Sequence, residues 1–178
     1  KRLMKKYQKN IIGIISDVKF PRKNILDKTS GFKFAKWILK NDPSMPLVLQ
    51  SNDLINEQKA NELNLGFLNK NSNTFFKDLR LYIGKNFGFG DFIFTLPNNQ
   101  QIKPAKSIKE LIEAIKIVPI ESIIYHAKSH HFSNWLAART EFELASKLRS
   151  IQAHKFKNSK DLRNYIFCLL YTSPSPRD

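Results

Sequence analysis

Up to Phe167 the sequence contains no cysteine, and the single thiol, Cys168, stands in the last eleven residues. Residues 1–167 therefore cannot form a disulfide, a zinc–thiolate site or a cysteine nucleophile. Long apolar runs are missing too, since nothing approaches the roughly 20 consecutive apolar residues that span a bilayer. No secretory pattern opens the chain: KRLMKKYQKN leads into a strand-like run and not into an apolar leader core with a small-residue cleavage site. Together these absences predict a soluble, cytoplasmic chain with no membrane partner.

Acidic residues are scarce, 15 Asp and Glu against 30 Lys and Arg, a formal net charge of +15. Such an excess attracts nucleic acids and anionic surfaces. The lysines, however, greatly outnumber the arginines and are scattered among Asn, Ile and Phe, and no basic cluster is longer than KRLMKK. A surface that reads phosphates gathers its cations on one face with aromatics between them. A solvated lysine surface is expected, with no specific nucleic-acid partner.

At 178 residues the chain has room for one full domain, or for a partial domain and a small neighbour. It begins on Lys1 and not on Met, and is expected to be cut at its front. The closing stretch, CLLYTSPSPRD, resembles the translation of an adapter used in preparing sequencing libraries. Residues 168–178 are therefore expected to be an artefactual tail and are set aside from fold reasoning.

What is present separates near Asn86. From Ile11 to about Ile83, short apolar runs alternate with amphipathic stretches, the pattern of a parallel α/β unit. IIGIIS, PLVLQS and LGFLN read as strands. GFKFAKWILK has Phe34 and Ile38 on one face, LINEQKANEL has Leu54, Ala60 and Leu63, and NTFFKDLRLYIGK has Phe76, Leu79 and Ile83 at helical spacing. That order is βαβαβα, and right-handed crossovers make the strands parallel, with helices on both faces. Beyond Asn86, GDFIFTLPNNQQIKPA reads as a hairpin around Pro97-Asn98-Asn99. Ser107 and Glu110 form a capping box ahead of Ile108, Leu111, Ile112 and Ile115, which predicts a helix that Pro119 ends. IESIIYHA and HFSNWLAARTEFELASKLR predict one or two more helices, and Asn158 to Phe167 another.

Strand ends carry the candidate chemistry. In a parallel sheet every carboxyl end lies on one rim, where ligands of open α/β folds bind. Asp17, Ser51 and Lys70 stand at or just after the three strand ends. A carboxylate nucleophile, a hydroxyl and an ammonium on one rim suit phosphoryl handling, because Asp can accept the group while Lys and Ser stabilise its oxygens.

Residues 11 to about 83 resemble the later two-thirds of a response-regulator receiver domain. The resemblance puts Asp17 at the phospho-acceptor position, Pro21 in the following loop, Gly31 at the next helix start, Ser51 at the switch hydroxyl and Lys70 at the lysine after the last strand. It makes Asp17 a possible Mg²⁺ ligand. The loop from Val18 to Ser30 is longer than receivers have, Asn71 replaces the usual proline, and the first-strand acidic pair is missing, which leaves the Mg²⁺ site incomplete. The fold class expected is α/β: a truncated receiver-like, flavodoxin-like parallel sheet over 1–86, then a β-hairpin and helical connector region over 87–167.

A broader resemblance rests on ISDVKFPRKNILDKTSGFKF, LVLQSND, FLNKNS, NFGFGDFIFTLP and IIYHAKSHHFSNWLAARTEFELA. These are similar to the N-terminal regulatory part of bacterial phosphoenolpyruvate-synthase-like proteins, in which receiver-like modules precede a nucleotide-binding domain of the pyruvate phosphate dikinase type. The resemblance implies a parent that uses ATP and Mg²⁺ for phosphotransfer downstream, with those catalytic domains as this segment's partners. The residues given would then be regulatory, with no catalytic residue and no cofactor of their own. The alternative is a receiver switch phosphorylated on Asp17.

Four further features of the sequence bear on function. SHHFSNWLAAR superficially resembles a phosphotransfer histidine motif, but the preceding glycines are absent and Arg139 is too far from His130 and His131. His126 and His130 are four apart, as helical metal ligands are, with no Cys or acid to complete a site, so a satisfied, partly buried histidine or a polar contact is expected. The G-x-G of NFGFGDF lacks the strand-to-helix setting of a phosphate loop and reads as a turn entering the hairpin. Trp37, Trp135 and the Phe residues invite an aromatic-platform reading, but helical spacing favours core packing for Trp135, Leu136, Phe142 and Leu144, with a cofactor box second.

Overall fold

The structure, a computed structural model, describes residues 2–7, 10–22, 25–151, 156 and 158–172. It divides into two bodies, Ile11–Lys85 and a second made of Lys1–Asn10 with Asn86–Asp178.

The first body is built on three parallel strands, β1 (Ile14–Asp17), β4 (Leu47–Ser51) and β5 (Gly66–Asn69), in the order β1-β4-β5. α2 (Ser30–Asn41) and α3 (Ile55–Glu62) make the two crossovers, and α4 (Phe75–Asn86) follows β5. Apolar β4 lies in the middle with Leu47, Val48 and Leu49 buried, which is what a strand flanked on both edges and covered on both faces requires. α2 buries Phe32, Ala35 and Ile38, and α3 buries Ala60. Gly31 is needed where α2 begins, because a Cβ there would overlap the carbonyl oxygen of Asp17. That close approach brings the Gly31 amide to the Val18 carbonyl at 2.9 Å.

Three details depart from the periodicity reading. The long Val18–Ser30 connection contains an antiparallel ribbon, β2 (Phe20–Arg22) paired with β3 (Ile25–Asp27). Leu54 precedes α3 and is 58% exposed, and Asn56 takes the inward place. In α4, Phe76 is 82% exposed while Tyr82 turns inward, its ring where a Gly66 side chain would stand and its hydroxyl donating to the Leu47 carbonyl at 2.9 Å.

The second body includes α1 (Arg2–Tyr7), the antiparallel hairpin β6 (Phe92–Thr95) and β7 (Gln101–Ala105), and helices α5 (Ile108–Ile117), α6 (Ile120–Lys128), α7 (His131–Ala137), α8 (Phe142–Arg149) and α9 (Ser159–Tyr171). Its core joins Phe92 and Phe94 of the hairpin to Leu111, Ile115, Ile123, Trp135, Leu136, Leu144, Leu162 and Ile166. Ser107 caps α5 as the sequence predicts, its Oγ accepting the Glu110 amide at 3.2 Å. The returning Glu110 carboxylate accepts the amide of Lys106 at 2.9 Å. Where one or two helices were expected after Pro119 there are three, separated at His130 and Thr140, both with positive φ. The expected junction between Phe167 and Cys168 falls inside α9, which runs to Tyr171 and buries Leu170 in the same core, while residues 173–178 lie outside the described residues.

Candidate functional site

β1 and β5 deliver Asp17 and Lys70 to one rim, where Lys70 Nζ lies 2.7 Å from Asp17 Oδ1. Gln50, the register partner of Asp17 on β4, donates its Nε2 to the same oxygen at 2.7 Å. Burial works to raise the Asp17 carboxyl, but the hydrogen bonds from Lys70 and Gln50 and the charge of Lys70 together outweigh it and hold the carboxyl below its ordinary value. The group is thus kept ionised by two donors.

Ser51 reaches the rim but does not join this pair. Side chains alternate along a strand, so the residue after Gln50 points to the other face. There its Oγ accepts the Asn56 side-chain amide at 3.0 Å and the Asp53 amide at 3.1 Å. Asn71 donates its Nδ2 to the Asn52 carbonyl at 3.1 Å and so ties the loop after β5 to the loop after β4. Lys19 and Asp53 form a longer pair, 3.5 Å, between the loop after β1 and the loop after β4. The sequence reading missed Gln50 and Asn56, and it named Asn71 without its bond to the Asn52 carbonyl. Alternation alone sets Gln50 and Ser51 on opposite faces, and the β1–β4 register then places Gln50 on the face of Asp17.

Magnesium asks for several oxygen donors of which at least one or two are carboxylates free to bind it. Here Asp17 is held by an ammonium and an amide, and Asp53 faces Lys19, so the residues present do not fit a Mg²⁺ site. Among the described residues no three His, Cys, Asp or Glu side chains gather as metal ligands.

The histidines sort differently from their spacing. His126 pairs with the residue five on: its Nδ1 lies 2.9 Å from Nδ1 of His131, and its Nε2 accepts the Thr95 amide at 2.9 Å. His130 instead precedes α7 with φ 56°, and its carbonyl accepts the Ser133 hydroxyl. The NFGFGDF turn is held by side chains. Trp135 Nε1 and an Arg139 guanidinium nitrogen both donate to the Gly90 carbonyl, at 3.0 and 2.7 Å, while the guanidinium lies 3.4 Å above the Trp135 ring centre. Gly88 has φ 80° and fits against the Asn134 backbone where a Cβ would collide. Arg139 also donates to the Gly88 carbonyl at 3.3 Å, so the carbonyls of both glycines accept from one guanidinium.

Trp135, Leu136 and Leu144 are buried in the second body's core and Phe142 packs against it, while Trp37 stacks on Phe34 in the first body. No helix among the described residues is long and apolar enough to cross a membrane. No protein-family model, curated protein or solved structure matches this chain.

Proposed function

We propose that this chain is a non-catalytic regulatory and interaction segment of a cytoplasmic phosphoenolpyruvate-synthase-like phosphotransferase, in which the Ile11–Lys85 body uses a receiver-like fold for contacts with the catalytic domains of the same protein. The motif resemblance supplies the parent, and with it the ATP and Mg²⁺ of the downstream chemistry. The observation that carries the non-phosphorylated role is the state of Asp17: one oxygen already takes both Lys70 and Gln50, and the nearby Ser51 hydroxyl is committed to Asn56. Among the described residues an incoming phosphoryl group would meet no cluster of acids to hold the divalent ion that offsets its charge.

One observation favours the receiver switch as a second reading, namely the 2.7 Å contact between the acceptor-like carboxylate and the strand-end lysine. Acetyl phosphate with Mg²⁺, followed by intact mass, separates the two. No adduct is expected; an adduct lost in Asp17→Asn would move the assignment to an aspartyl-phosphorylated switch.

A further inference from the structure

We propose that the His126–His131 pair is an acid-opened clasp that holds the β6–β7 hairpin to α6 and α7. The tautomers follow from the partners. A backbone amide can only donate, so the contact from Thr95 leaves His126 Nε2 without a proton. The neutral ring then carries its proton on Nδ1 and donates it to His131 Nδ1, which must in turn be bare. Every link runs in one direction, from β6 through α6 to α7. A proton added to His126 Nε2 displaces the Thr95 amide, and one added to His131 Nδ1 sets two N–H groups face to face. The same logic excludes a metal between the rings, since His126 cannot ligate through Nδ1 while Nε2 accepts a hydrogen bond.

The surroundings offer a charged ring little relief. Phe92 and Phe94 from β6 and Phe132 from α7 pack against His126. The titratable groups facing it are Tyr125 on its own helix and His131 on α7. From β6 come only Phe92, Phe94 and Thr95. α9 turns Leu162 and Ile166 into the shared core and directs Arg163 to the carbonyls of Ile115, Lys116 and Val118. Burial, then the charge of His131, push the His126 imidazole down to about 3, against the opposing pull of the Thr95 contact.

The direction in acid follows. The closed clasp excludes the proton and the open hairpin accepts it, so the stabilisation is complete above the ordinary value of 6.5 and is lost as pH falls from there toward about 3. Amide hydrogen exchange on the whole chain, corrected for the intrinsic pH dependence of exchange, reads the opening. Protection of the Thr95 amide should fall about thirtyfold between about pH 7.5 and about pH 5. In His126→Gln, whose Oε1 can still accept the Thr95 amide but cannot take a proton, the fall should be less than about threefold. An equal fall in the variant, or none in the unaltered chain, overturns the clasp. Imidazole nitrogen NMR of the unaltered chain gives a test that does not depend on the variant folding: His126 should carry its proton on Nδ1 at neutral pH, and a proton on Nε2 overturns the proposal.

Discussion

Asp17 keeps two donors on one oxygen while 42% of its side chain still meets water. A pair so exposed is screened, and Lys70→Met should cost only about 0.5 kcal/mol in urea unfolding, with less lost at high salt. Because the Asp17 carboxyl is held below 3.8, its contribution is present above that pH and fades as acid carries the folded form through its lowered value. Gly31 is less forgiving. A methyl there presses on the Asp17 carbonyl, so Gly31→Ala should destabilise the first body by about 1–3 kcal/mol. At this scale the sequence is legible where strand ends decide position, as for Asp17 and Lys70. It misleads where the parity of a strand decides direction: Ser51 is one residue from Gln50 and therefore faces away from the ion pair. Phe76 fails because Tyr82, six residues on, is the α4 side chain that meets the sheet, at Gly66 and the Leu47 carbonyl.

Elements with strong end signals are the ones read most directly from sequence. α5 has its cap, its apolar face and its terminating proline, and Ser107→Ala should cost about 1 kcal/mol in thermal or urea unfolding. Its far end has a partner that no local pattern announces. Arg163 of α9 donates at 2.6, 3.0 and 2.9 Å to the carbonyls of Ile115, Lys116 and Val118, which the helix leaves without intrahelical donors. Arg163→Met should cost about 1–3 kcal/mol by the same measurement, and a loss below that range would mean that water replaces the guanidinium. The breaks between α6, α7 and α8 are hard to read for a physical reason. His130 and Thr140 adopt left-handed backbone without the glycine that usually marks such a position. β2 and β3, three residues each, are too short for alternation to register.

At the scale of the whole molecule, each body has its own apolar centre. Leu49→Ala, in the middle strand of the first, should lower the opening free energy of the β4 amides by about 2–5 kcal/mol in hydrogen exchange. The second body is closed by its last helix, which brings Leu162, Ile166 and Leu170 to residues that begin at Phe92. On the ribosome this order has a cost in time. Arg163 is made 48 residues after its partner Ile115, so at about 5–20 residues per second the apolar sides of α5 and α6 wait several seconds uncovered. During that interval the nascent chain offers a greasy groove to any chaperone that surveys the tunnel exit. Chains arrested before Ser159 should accordingly be cut readily by protease in the α5–α6 region, and chains released after Thr172 should resist.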